Sequence, residues 1–328
     1  MNSPALSTTN VPQRLILARP RGFCAGVERA IEIVEIALKI HPPPVYVFHE
    51  IVHNTHVVKD LGARGAIFVD KVSDVPDGAV LVFSAHGVSP EIREQAQTKH
   101  LKLIDATCPL VTKVHMEAIL FAKQGKTIIL VGHEGHDEVV GTMGEAPERI
   151  ALVDTPEDVE RLEVEDPDQV AVITQTTLSL DDTKDTIAAI KKKFPKVVFP
   201  PKEDICYATT NRQIAVKEIA KGAELILVIG SENSSNSKRL QEVSKDKGVR
   251  AYLIDDVSKI KPEWFQGVET VGITAGASAP EHLVREVLEY FRKLGVSEVQ
   301  EVEAIHESVK FGLPPELSKE LSQLSATS

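Results

Sequence analysis

Three cysteines are all that this 328-residue chain contains, and each stands at the same point of an internal repeat: an aliphatic run, the cysteine, then a helix-like segment. Leu15-Ile16-Leu17 precedes Cys24, Lys102-Leu103-Ile104 precedes Cys108, and Val197-Val198-Phe199 precedes Cys206. Such a repeat has to be read first, because its period dictates the architecture. After each helix-like segment a second aliphatic run ends in a polar cluster: residues 45–48 lead to His53, 128–131 to His133 and His136, and 226–229 to Ser234 and Asn236. His53, His136 and Ser234 follow their cysteines by 29, 28 and 28 residues.

A third run closes on aspartate in every repeat, at Asp70, Asp154 and Asp255. A fourth opens a small-residue loop: Ser84-Ala85-His86-Gly87, Thr174-Gln175-Thr176-Thr177 and Thr274-Ala275-Gly276-Ala277. Short Val/Ile/Leu runs alternating with helix-length segments are the signature of parallel sheets covered on both faces. An α/β fold of three modules with mostly parallel sheets is therefore expected. The modules read as 15–107, 108–205 and 206–307, with an N-terminal extension over 1–14 and a C-terminal tail over 308–328, where Phe311 and Leu313 are candidates to dock on the body. Ligands of such sheets gather at the carboxyl ends of strands, where the repeat puts every unusual polar residue. Three equivalent edges are expected to meet about a pseudo-threefold axis around one central cavity. The alternative is three independent domains with unrelated rims.

Charge narrows the partners. Lys and Arg total 37 against 48 Asp and Glu, a net charge of -11, so the field around the chain repels phosphate backbones and anionic lipid. Nucleic acid and membrane surfaces are not expected as partners. The longest aliphatic runs, such as 225–229, fall far short of the ~20 residues a spanning helix needs. The first twelve residues are rich in Ser, Thr and Asn and lack the basic start and apolar core of a secretory leader. They read as a flexible extension, and a cytoplasmic location is expected. Three widely spaced cysteines in a reducing compartment are no disulfide framework; they leave buried thiols, a reactive thiol or a metal site.

A cysteine at a helix N-terminus has its thiolate favoured by the helix dipole and by unpaired N–H groups. One alone reads as core packing, but three at one repeat position point to a shared metal centre. Zinc and iron-sulfur both accept thiolates, and no Cys-x-x-Cys pair marks a structural zinc site. A 4Fe-4S cluster with one iron lacking a protein ligand, open as a Lewis acid, and a three-cysteine zinc site with an open position both remain. The other strand ends carry neither a Walker loop nor a dinucleotide fingerprint. They carry His53, His86, His136, Thr176, Ser234, Ser235, Asn236 and Ser278, neutral or weakly basic donors suited to a diphosphate, with helix N-termini in support. Glu138, two residues after His136, is the acid candidate, because a carboxyl group near a desolvated site has its pKa raised toward working pH. Two other functions fit the same residues: a phosphate-ligand receptor with merely buried thiols, and a zinc hydrolase using Glu138 as general base.

The longer motifs are Pro20-Arg21-Gly22-Phe23-Cys24-Ala25-Gly26-Val27, Ser84-Ala85-His86-Gly87-Val88-Ser89, Asp105-Ala106-Thr107-Cys108-Pro109-Leu110-Val111-Thr112-Lys113-Val114-His115, Thr174-Gln175-Thr176-Thr177-Leu178-Ser179, Ile205-Cys206-Tyr207-Ala208-Thr209-Thr210-Asn211-Arg212 and Asn233-Ser234-Ser235-Asn236-Ser237. Running from about Leu15 to about Pro314, they resemble the IspH/LytB family of 4-hydroxy-3-methylbut-2-enyl diphosphate reductases. The resemblance implies three α/β modules around a central iron-sulfur cluster and the last step of the methylerythritol phosphate route, the reductive loss of an allylic hydroxyl that yields isopentenyl and dimethylallyl diphosphates. It implies Cys24, Cys108 and Cys206 as cluster ligands, and His53, His86, His136, Ser234, Ser235, Asn236 and Ser278 on the diphosphate. Glu138 and Thr176 would serve proton delivery. With no flavin or nicotinamide motif in the chain, a flavodoxin or ferredoxin is the expected electron donor. One departure is Asp137, where the family pattern has proline between the histidine and the acid.

Overall fold

The computed structural model describes residues 11–327. The first stretch runs β1 (Arg14–Arg19), α1 (Ala25–Ile40), β2 (Val45–Phe48), α2 (Thr55–Ala63), β3 (Ala66–Val69), β4 (Val80–Phe83) and α3 (Pro90–Thr98). The second runs β5 (Lys102–Asp105), α4 (Pro109–Lys123), β6 (Thr127–Val131), α5 (Asp137–Met143), β7 (Ile150–Val153), α6 (Pro156–Arg161), β8 (Val170–Thr174) and α7 (Leu180–Lys193). The third runs α8 (Tyr207–Ile219), β9 (Leu225–Ile229), α9 (Ser235–Asp246), β10 (Arg250–Ile254), β11 (Thr270–Ala275), α10 (Glu281–Lys293), β12 (Glu298–Glu303) and α11 (Pro315–Thr327).

These strands form three sheets, ordered β3-β2-β4-β5, β7-β6-β8 and β10-β9-β11-β1-β12. Every strand pair in them is parallel. The aliphatic runs explain why, since each central strand buries both faces. In β9, Leu225, Leu227 and Ile229 enter one core while Ile226 and Val228 enter another, and β1 divides likewise, Leu15 and Leu17 from Ile16 and Ala18. In β6, Ile129 and Val131 separate in the same way from Ile128 and Leu130.

All three sheets share one order: third run, second, fourth, then the strand that leads to a cysteine. β1, read as the opening of the module 15–107, instead joins β11 and β12, whereas β5, inside that module, completes the sheet of the residues before it. Val198, before Cys206, does the same through a parallel bridge to Ala171 of β8. The physical reason is the crossover: a strand, a covering helix and a returning strand set the third element down beside the first. β12 was not expected; Glu298, Gln300, Glu301 and Glu303 hide its pattern, and only the backbone pairing with β1 defines it.

The chain divides into two units, one comprising the chain up to Cys24, His53–Thr55 and Tyr207–Val309, the other Ala25–Val52, His56–Cys206 and the chain from Lys310 onward. The first holds the five-stranded sheet and the second the other two. Of the N-terminal extension read over 1–14, residues 1–10 lie outside the described residues. In the remainder Val11 packs on the core and the Gln13 N–H donates to Glu269 O at 2.8 Å. The tail is held in the second unit: Arg29 Nε donates to Gly312 O at 2.7 Å, Leu317 of α11 is buried, and Glu320 pairs with Lys102 at 3.0 Å. Phe311 and Leu313 are half-buried. Among the described residues no helix is long and apolar enough to cross a membrane.

Candidate functional site

Each cysteine is fixed by the same backbone bond. The N–H of Cys24 donates to Ala277 O at 3.2 Å, that of Cys108 to Ala85 O at 3.0 Å, and that of Cys206 to Thr176 O at 3.0 Å. The three acceptors lie two residues beyond the ends of β11, β4 and β8, so the strand beside each leading strand anchors the turn into the helix. Cys24 and Cys206 immediately precede α1 and α8, and Cys108 caps α4 with Pro109 in its first turn, where the missing proline N–H costs nothing. All three cysteines are half-buried and none is in a disulfide. Gly22, just before Cys24, has φ +66°, and a Cβ there would meet Ala279 O at 3.2 Å, so this turn requires glycine. Thiols presented at three helix N-termini, with their backbones already committed, suit a thiolate-held metal group.

In the first unit, β9 and β11 are neighbours whose following loops leave the sheet at its topological switch point. Ser234, after β9, caps α9 by accepting from Ser237 N–H at 3.3 Å. Its Oγ is 3.1 Å from Ser237 Oγ and 3.4 Å from the Oγ of Ser278, after β11. Ser278 also donates to the carbonyl of His53 at 2.9 Å. Asn236 Oδ1 accepts from Ala277 N–H at 2.9 Å while its Nδ2 donates to Thr209 Oγ1 at 3.3 Å. Four predicted residues, Ser234, Asn236, Ser278 and His53, are thus brought together, with Ser235 beside them as the first residue of α9. Asn236 also links this cradle to the loop that anchors Cys24. The packing is close: a Cβ on Gly276 would lie 2.0 Å from Ser237 Oγ.

In the second unit the equivalent switch point lies between β6 and β8. His136 caps α5, its Nδ1 accepting from Glu138 N–H at 3.2 Å. Glu138 is 2% exposed and turns back to Thr176, after β8. Its Oε1 accepts from Thr176 N–H at 2.5 Å and its Oε2 from the Thr176 hydroxyl at 3.0 Å. Burial pushes Glu138 up to about 7, further than the two Thr176 bonds pull it down. Thr176 therefore touches the acid with its amide and hydroxyl and Cys206 with its carbonyl. The His86 ring stands edge-on to His136, centroids 6.0 Å apart.

His49, passed over in the sequence, stands here with Asp137, which the sequence marks only as a departure. Asp137 Oδ1 pairs with His49 Nδ1 at 2.8 Å, its Oδ2 lies 3.8 Å from His86 Nδ1, and the Asp137 bond is the main cause that raises the His49 pKa. As the first residue of α5, Asp137 occupies the position where proline is favoured, and an acidic residue there is equally favoured by the helix dipole. Glu138 follows as the second residue of the same helix, its carboxylate bonded to Thr176. Nothing in the local sequence signals the His49 partnership, which spans 88 positions.

A family profile described as LytB protein matches residues 15–292. The chain belongs to the LytB family. A relative from Acidothermus cellulolyticus, named 4-hydroxy-3-methylbut-2-enyl diphosphate reductase, is 56% identical over 310 residues, covering 94% of this chain and 91% of its own. One of the same name from Streptomyces coelicolor is 54% identical over 321 residues, covering 98% and 95%. Among solved structures, the E-1-hydroxy-2-methyl-but-2-enyl-4-diphosphate reductase from Plasmodium falciparum superposes with a TM-score of 0.92 at 41% identity, covering 96% of this chain and 99% of that one.

Proposed function

We infer that this LytB chain is a 4-hydroxy-3-methylbut-2-enyl diphosphate reductase, an oxidoreductase that removes the hydroxyl of (E)-4-hydroxy-3-methylbut-2-enyl diphosphate to give isopentenyl and dimethylallyl diphosphates. It acts as the last step of the methylerythritol phosphate route. The observation that carries the reading is the full-length match to relatives of that name, in a chain whose three cysteines occupy equivalent turns. Cys24, Cys108 and Cys206 would hold a 4Fe-4S cluster with one iron lacking a protein ligand. When bound, that cluster supplies the electrons one at a time and a Lewis-acidic iron.

The rest falls to side chains. Ser234, Ser235, Asn236 and Ser278, with His53, His86 and His136, hold the diphosphate; in a chain of net charge -11 its affinity depends on such local donors and on the N-terminus of α9. Glu138, half-protonated near neutrality, gives its carboxyl proton to the departing hydroxyl, and Thr176 orients that carboxyl. Two electrons and two protons enter, the C–O bond breaks, and water and a C5 diphosphate leave. The electrons come from outside, from a flavodoxin or ferredoxin. The modules 15–107, 108–205 and 206–307 are the sequence units of this scaffold, and three cysteines outside any disulfide suit the cytoplasm.

Anaerobic protein given substrate and a chemical reductant should form both C5 products; release of inorganic phosphate without either would reject the assignment. Ser234→Ala combined with Asn236→Ala should raise KM while iron content stays at the parent value, each lost charge-assisted bond costing about 1.5–3 kcal/mol, roughly tenfold or more. An unchanged KM removes this pair from the diphosphate site.

A further inference from the structure

A basic residue lies five or six positions after every cysteine: Arg29, Lys113 and Arg212. Each reaches from the helix that follows its own cysteine to the carbonyls just before another. Arg29 Nη1, on α1, donates to Ala106 O at 3.3 Å and Thr107 O at 3.0 Å, immediately ahead of Cys108. Lys113 Nζ, on α4, donates to Lys202 O at 3.1 Å, Glu203 O at 3.3 Å and Asp204 Oδ1 at 2.5 Å, ahead of Cys206, and pairs with Glu117 at 3.2 Å. Arg212, on α8, donates from Nε and Nη2 to Gly22 O at 3.0 and 2.8 Å and from Nη2 to Phe23 O at 3.1 Å, ahead of Cys24. The order closes on itself: the helix after Cys24 holds the approach to Cys108, the helix after Cys108 that to Cys206, and the helix after Cys206 that to Cys24.

These are not incidental surface contacts. Arg212 is wholly buried, and its remaining donors go to Ala208 O at 3.0 Å and Glu307 Oε1 at 3.1 Å, so each guanidinium nitrogen has an acceptor. Asp204 is 2% exposed at its side chain, and its second oxygen accepts from Thr174 N–H at 2.9 Å, at the end of β8. Arg29 lies within electrostatic reach of Cys108 and Asp105. The approach segments are irregular backbone with carbonyls that need partners, and a cation supplies several strong bonds at once without requiring regular structure.

We propose that Arg29, Lys113 and Arg212 are positioning residues, a cyclic set of clamps that holds the three cysteine turns ready for their shared metal group. The proposal rests on the cysteine assignment above. Its test is the transfer of iron from the anaerobic holoprotein to a strong chelator, read alongside the paramagnetic resonance spectrum of the reduced protein. Arg29→Met and Lys113→Met should each lose iron about 10–100-fold faster than the parent, the effect usual for a group that orients metal ligands, with shifted g values. Lys113→Arg, which keeps the charge and reach, should stay within about threefold. If Lys113→Met is not recovered folded, Lys113→Gln carries the same expectation. Parent-like iron loss and spectra in the Met variants overturn the clamps, as does iron loss in Lys113→Arg as fast as in Lys113→Met, since that is plain structural damage. A parent protein without iron would instead overturn the cysteine assignment itself.

Discussion

Replacing Cys24, Cys108 or Cys206 with serine is expected to bleach the protein and abolish turnover. Serine keeps the size and the backbone bond that fixes each turn, so the fold has no reason to change; only the soft thiolate is lost, and an alkoxide is a poor ligand to an iron-sulfur group. The three variants should behave alike, because the bonds from Cys24 to Ala277, Cys108 to Ala85 and Cys206 to Thr176 are equivalent. Melting temperatures of the metal-free proteins should match the parent's. Full iron and sulfide in all three single variants would remove the cysteines from the site.

Glu138→Gln should assemble the same metal group, bind substrate with nearly parental affinity, and turn over about 10²–10⁴-fold more slowly, as expected when a general acid is lost. Glutamine fills the same buried space but has no proton to give. The pH profile supplies a second reading. Burial raises this carboxyl from its ordinary value of 4.5 to about 7, so the proton is present below neutrality, and the rate should fall as pH rises through about 7. The same shift has a sign for stability: the fold favours the protonated form, a contribution complete below the ordinary value and lost between 4.5 and about 7. Thr176→Val deletes the hydroxyl bond that favours the carboxylate, so the falling limb should move to higher pH. Near-parental turnover in Glu138→Gln would end the assignment.

What the sequence made legible follows from periodicity. Unbroken aliphatic runs such as 225–229 and 128–131 read as strands because both faces are buried, and the cysteines, serines and histidines read as loop residues because they sit where those runs end. Sheet membership was legible only in part: β5 falls inside the module 15–107 whose sheet it completes, but β1, a strand by its hydrophobic pattern, joins the sheet of the third segment, which only the crossovers decide. Charged β12 lacked even the pattern. The pairing of Glu138 with Thr176, 38 positions away, is visible only in the loop positions the repeat makes equivalent, and the His49–Asp137 pair not even there. Arg29, Lys113 and Arg212 could have been found by aligning the repeats on their cysteines, since the basic residue recurs at nearly one offset, but a cation in a helix ordinarily signals only a solvated face.

Iron, zinc and acid-labile sulfide analysis of anaerobically purified protein, joined to a Mössbauer spectrum of isotopically enriched material, decides whether Cys24, Cys108 and Cys206 hold an iron-sulfur cluster. The protein should be brown with about four iron and four sulfide per chain, give a spectrum in which one iron differs from the others and changes when substrate is added, and hold no stoichiometric zinc. A colourless protein carrying one zinc and no sulfide, or no metal at all, would contradict the cluster assignment.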